Sequence, residues 1–189
     1  MNLRRKMSLV AFLPLSAGLA LLGYVASERI GKAAEVERLS AAAPFAAEIN
    51  AVIHALQAER GRSVAYASTG GDAAARDALE AQRARTDGVI SNFGAFLSDG
   101  DFEGKLPEIW PEAAAIAALS GRLAATRDGV DAASMKPAEF VSFYSHEVAA
   151  GIEAVYEAIK VIPDHEAAMS MSSFALLLQA MESGGLERA

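Results

Sequence analysis

Apolar residues recur along most of the chain at steps of three and four, the spacing that lines one face of an α-helix. Stretches that alternate at steps of two are absent. The organising stripe runs through Ile49, Ile53 and Leu56. It predicts one long helix from about residue 27 to residue 67, with Pro44 as the place for a kink. Continued in phase, that stripe meets Arg60, Ser63 and Ala67. Gly70 and Gly71 stop the helix, and Asp72 or Thr69 can cap the next one. A second helix is read over residues 73–97, with Leu79, Thr86, Ile90, Phe93 and Leu97 on one side. Residues 98–107 read as a polar loop. A third helix starts between Pro107 and Pro111, since proline is tolerated in a first turn, and reaches about residue 131. Residues 132–137 break it, a fourth helix covers 137–161, and a fifth runs from residue 164 to the end. Trp110 reads as a packing anchor at a helix start. The fold class expected is an all-α, long-helix bundle.

Residues 7–26 depart from this pattern because they carry no charge at all. Such a run, about 20 residues long, matches the hydrocarbon thickness of a bilayer. Arg4, Arg5 and Lys6 precede it, so the positive-inside rule places the N-terminus in the cytoplasm. A cleaved signal peptide with a small-residue site at Val25, Ala26 and Ser27 competes with this reading. The length of the run and the helical pattern continuing past it favour an uncleaved anchor. The expected division is a cytoplasmic tip and transmembrane anchor at residues 1–27, then one helical domain at 28–189. That domain would be extracytoplasmic, periplasmic in a two-membrane bacterium. The ending of the sequence suggests a piece of a longer protein.

Charge sharpens the picture. Without the three N-terminal cations, 14 of the 17 basic residues face 24 acidic ones, leaving −10. No basic face is apparent, which argues against nucleic acid as a partner. There is no cysteine, so disulfides, thiolate catalysis and Cys-held metals are excluded. His54, His146 and His165 lie far apart without metal-ligand spacing. No nucleophile–base pair or phosphate-cradling glycine loop is present, so neither an enzyme nor a cofactor is expected.

Arginine in an apolar seam is costly unless something anionic meets it. Arg60 occupies one such position. On the third helix the series Ile116, Ser120, Leu123, Arg127 and Val130, with Leu119 alongside, includes another. On the last helix Phe174, Leu178, Met181, Gly185 and Arg188 include a third. Each can pair with a nearby carboxylate, of which Glu59, Asp128, Glu182 and Glu187 are available. Three in separate helices point instead to a small planar oxyanion held by guanidinium forks. Arg83 also fits a stripe, so helical phase alone does not identify a site. Ser63, one turn after Arg60, can donate a hydroxyl or simply permit close packing. Tyr66, Tyr144 and Ser145 are weaker candidates.

The segment Leu56-Gln57-Ala58-Glu59-Arg60-Gly61-Arg62-Ser63, then Gly70-Gly71, then residues 79–87, resembles the nitrate- and nitrite-sensing (NIT) domain family. The closing Gly185-Leu186-Glu187-Arg188-Ala189 is similar to that family's final element, and residues 123–130 and 139–145 to its middle. The resemblance implies two stacked four-helix bundles sharing long helices. It also implies nitrate or nitrite held between helices by Arg60, Arg127 and Arg188. Gln179-Ala180-Met181-Glu182 stands where the family usually carries a lysine–glutamate pair, and Arg62 also departs from the pattern. With the anchor, the chain reads as the sensory part of a transmembrane receptor (chemoreceptor, histidine kinase or cyclase), and a homodimer is expected from that class. Competing readings are a sensor of another small anion, such as an organic carboxylate, or a purely structural dimerising bundle.

Overall fold

Long alanine- and leucine-rich stretches, broken only by paired glycines or proline turns, fold as helices throughout. The computed structural model describes residues 3–162 and 165–186, the first of these up to residue 18 by backbone course alone. Among the described residues there are seven helices and no strand. They are α1 (Leu3–Ser68), α2 (Ala73–Asp99), α3 (Phe102–Lys105), α4 (Trp110–Ala117), α5 (Ser120–Asp131), α6 (Pro137–Lys160) and α7 (His165–Leu186). The chain divides into two units, Met1–Glu37 and Arg38–Ala189, and α1 contributes to both.

In the first unit the large apolar side chains described on α1 lie in the open. Leu19, Leu21, Leu22, Tyr24, Ile30 and Val36 are all exposed. Among the described residues α1 is the one helix long and apolar enough to cross a membrane.

The second unit is built on the other part of α1. Ile49, Ile53, Leu56, Arg60 and Ser63 are buried, as their phase requires, and Tyr66 rather than exposed Ala67 takes the next place. Phe45, Val52, Ala55 and Glu59 are buried as well, so this helix hides a broad face against neighbours on more than one side. It packs tightly on α6: a Cβ on Gly151 would lie 2.9 Å from Ile53 Cγ1. The α1–α2 turn has Gly70 at φ +65° and Gly71 at φ +83°, where a side chain is strained. Asp72 then accepts the Ala75 amide and caps α2. The buried face of α2 is Leu79, Thr86, Ile90, Phe93 and Leu97.

Two expectations are corrected. The stretch after α2 is polar in composition but not in packing. Phe102, Leu106 and Ile109 are buried, and Phe102 stacks 5.0 Å from Phe45 and 5.9 Å from Phe96. That aromatic contact folds the stretch into the short α3. The expected third helix is two, α4 and α5. Leu119 is fully buried between Ile116 and Leu123, and its amide bonds to the Ile116 carbonyl, three residues back instead of four. The tightened turn brings all three side chains inward at the cost of a straight axis. Within α5 the buried positions are Leu123, Thr126 and Val130, so Arg127 flanks the seam instead of occupying it.

Candidate functional site

Glu59 and Arg60 are consecutive on α1 and both buried, at 0% and 2% exposure. Neighbours on a helix point about 100° apart, so the two charges serve different sides of α1. Each has recruited the opposite charge from another helix.

Glu59 is the centre of the closed side. Arg127 of α5 donates through Nε at 2.7 Å to Oε1 and through Nη2 at 2.9 Å to Oε2, a bidentate pair. Tyr144 of α6 donates its hydroxyl to Oε1 at 2.7 Å. Arg127 reaches on to α2, where Nη1 meets Asp87 Oδ1 at 2.8 Å and Nη2 meets the Arg83 carbonyl at 3.4 Å. Arg83 itself holds Asp131 of α5 at 2.8 Å. Burial opposes the charge on Glu59, but the hydrogen bonds from Arg127 and Tyr144 outweigh it and hold the carboxyl below its ordinary range. Burial, then the charge and hydrogen bond of Glu59, push the Tyr144 hydroxyl well above its ordinary value. Burial pulls on Arg127 in the opposite sense, and Glu59 and Asp87 more than offset it, so it stays firmly charged.

Arg60 is the centre of the other side. Its Nη1 donates to Ser145 Oγ of α6 at 2.7 Å and to Glu182 Oε1 of α7, while Nη2 donates to Glu182 Oε2 at 3.1 Å. Gln57 Nε2 donates to the same Oε2 at 2.9 Å. A Cβ on Gly185 would lie 2.9 Å from Arg60 Nη2, so α7 passes close to the guanidinium and a side chain there would have to displace it. Beside this contact a cleft of about 660 Å³ separates α1 from α7, lined among others by His54, Gln57, Arg60, Gly61, Gly184 and Gly185.

The expected site residues therefore divide. Arg60 lines the cleft; Ser63, one turn on, is fully buried and not part of the cleft lining, its Oγ without a hydrogen-bond partner among the described residues. Arg127 is brought to Glu59, the residue next to Arg60, and not into the cleft. Arg188 lies outside the described residues. Tyr144 and Ser145, weak candidates in the sequence, each hold one of the two α1 charges. Glu59 as a hub was missed, although Ile49, Val52, Leu56, Glu59 and Ser63 form a second stripe at steps of three and four. Among the described residues no group of side chains is arranged to hold a metal ion.

The second unit is thus an all-helical bundle with a buried arginine, Arg60, at an interhelical cleft. The family model described as nitrate and nitrite sensing (NIT) matches residues 51–189. The chain belongs to the NIT family, and its matched part is a sensory domain of signal transduction. No curated protein and no solved structure matches it.

Proposed function

We propose that the α1–α7 cleft binds nitrate or nitrite, with Arg60 as the principal ligand. The observation that carries this reading is the state of the Arg60 fork. It is almost fully buried, lines a cleft, and already holds a planar two-oxygen anion, the Glu182 carboxylate. Nitrate and nitrite present the same edge, two oxygens on one central atom, which suits a guanidinium fork. Arg188, three residues after Gly185, supplies a second cation, and Ser63 a hydroxyl. Arg127 acts one step removed, by fixing Glu59 and with it the rotation of α1. The first part of α1 anchors the domain in the inner membrane, the domain lies outside the cytoplasm, and binding alters α7 and the output module of a homodimeric receptor.

Isothermal titration of the whole chain in detergent micelles tests this, with nitrate and nitrite as ligands and chloride as control. Saturable heat from nitrate or nitrite, lost in Arg60→Met, is the expected result. Silence from both anions in folded wild type and in folded Glu182→Gln, which takes the carboxylate off the Arg60 fork, removes the assignment. Because the fork holds a carboxylate in the structure, small carboxylates such as formate and acetate are the second reading. Their binding in place of nitrate would move the ligand to that class.

A further inference from the structure

Glu182 is more than a partner that keeps Arg60 from being a buried lone charge. It comes from α7, the helix that closes the cleft, and it presents both carboxylate oxygens to both terminal nitrogens of Arg60. That end-on pairing occupies the edge formed by the two terminal nitrogens, a fork on which a planar oxyanion can also bind. An anion on that edge and the Glu182 carboxylate exclude each other. Building on the nitrate or nitrite reading, we infer that Glu182 is a tethered competitor for the ligand: it occupies the Arg60 fork until the anion displaces it. It thereby sets the affinity threshold and ties occupancy to the position of α7.

Three features make the exchange feasible. Charge around Arg60 is conserved, since one monoanion leaves as another arrives, so no step strands a bare guanidinium in the interior. Glu182 has somewhere to go. It is 8% exposed against 2% for Arg60, and Gln57 already donates to its Oε2 from the cleft wall, so it can turn toward the cleft without losing every donor. Ser145 remains on Arg60 Nη1 at 2.7 Å and keeps the guanidinium in place while its anion changes. The affinity consequence follows from occupancy. A site whose competent state is a small fraction of molecules shows an apparent affinity reduced by that fraction.

The mechanical consequence follows from where the bond sits. The Glu182 carboxylate joins α7 to Arg60 and Gln57 of α1 near the α7 end, and Gly185 lies against Arg60 just beyond it. Losing the carboxylate bond frees that end. Ala175 and Leu178 stay buried further back, and Gln179 stays bonded to Tyr156 of α6 at 3.2 Å. The end of α7 swings about that held part.

The test compares wild-type protein with Glu182→Gln, using the whole chain in micelles and nitrate and nitrite as probes. Gln keeps the shape of the side chain but is a weaker, neutral occupant of the fork. Apparent affinity should rise by about tenfold or more. Binding by Glu182→Gln alone, with wild type silent, would be the same effect at greater strength. Binding by wild type with equal or weaker binding by Glu182→Gln overturns the competition while leaving the anion reading standing. Silence in both proteins removes the anion reading, and the competition with it. Should Glu182→Gln fail to fold, Glu182→Asp, whose carboxylate falls short of the fork, replaces it with the same expectation. Because the chain has no cysteine, spin labels at Ala65→Cys and Ser183→Cys give an independent readout in otherwise wild-type protein. Nitrate or nitrite should change the label-to-label distance, and an unchanged distance at saturation overturns the displacement of α7.

Discussion

Replacing Arg127 by methionine is the sharpest probe of the layer around Glu59. Methionine fills the volume but removes both hydrogen bonds to Glu59, leaving a fully buried carboxylate with Tyr144 as its remaining donor. Breaking one side of a buried pair costs about 3–5 kcal/mol. Protonation of Glu59 caps that cost. From an ordinary value of 4.5, neutralising the carboxyl at pH 7 costs roughly 3.4 kcal/mol, at about 1.36 kcal/mol for each pH unit. The expected loss at pH 7 is therefore about 3 kcal/mol, and it shrinks as the pH falls and protonation becomes cheaper. The sign of the pH dependence inverts. In the wild type the depressed Glu59 contributes stability that is present above its unfolded value and lost as pH falls through its folded one. In Arg127→Met the carboxyl is raised by burial, so its contribution recovers as pH falls from 7 toward 5. Urea melts at both pH values, followed by far-UV circular dichroism and by the fluorescence of Trp110, measure this directly. Glu59→Gln combined with Arg127→Met should recover much of the loss. The exposed pair of Arg38 and Glu108, 3.0 Å apart, is the control, and Arg38→Met should cost about 0.5 kcal/mol or less. A loss under about 1 kcal/mol for Arg127→Met, with the wild-type pH slope, would refute the reasoning.

Arg60→Lys keeps the charge but replaces the planar fork with a point cation. It should weaken anion binding by about tenfold or more in the same titration, with a smaller loss of stability than Arg60→Met. Gly151→Ala sets a methyl 2.9 Å from Ile53 Cγ1. It should cost about 1–3 kcal/mol in urea melts, and Ile53→Ala in the same chain should relieve part of that. At alkaline pH the raised Tyr144 hydroxyl gives stability that is full below its ordinary value of 10.0 and lost as pH rises through the folded one. Melting temperature should therefore fall above about pH 10, and Tyr144→Phe should flatten that fall.

Much of this was legible in the order of residues because helices bury by phase. The α2 face from Leu79 to Leu97 and the α1 stripe from Ile49 to Ser63 follow directly from steps of three and four. What escaped was decided by packing between distant residues. Phe102 sits among glycine, aspartate and lysine, and only the Phe45 and Phe96 rings explain why it is buried. The break at Leu119 has no proline to announce it, and Gly121 just after it lies inside α5; it arises because three apolar side chains in a row of turns all have somewhere to go. Glu59 was legible only as one of several carboxylates open to the seam arginines, not as a hub. Nothing local says that it will be claimed by Arg127 and Tyr144, 68 and 85 positions away. Glu182 stood among the carboxylates open to the seam arginines, but its bidentate grip on Arg60 depends on how close α7 passes to the guanidinium.

The two halves of the polar layer differ in one respect that bears on signalling. On the Glu59 side the helices are cross-tied: Arg127 binds α1 and α2 together through Glu59 and Asp87, and Tyr144 adds α6. Opening the bonds to Glu59 there would leave a fully buried carboxylate short of donors. On the Arg60 side the described charge tie from α7 is the Glu182 carboxylate, beside a cleft and on a fork that a planar anion can also satisfy. A ligand shifts an equilibrium only by its differential affinity for two states, and in the proposed exchange it is on this side alone that the ligand would replace what held the unliganded state. Because Glu59 and Arg60 are adjacent, the fixed side would hold the rotation of α1 while the other changed partner. Movement would thereby be channelled into α7, the element next to the end of the matched domain, instead of being dissipated in a general loosening of the bundle.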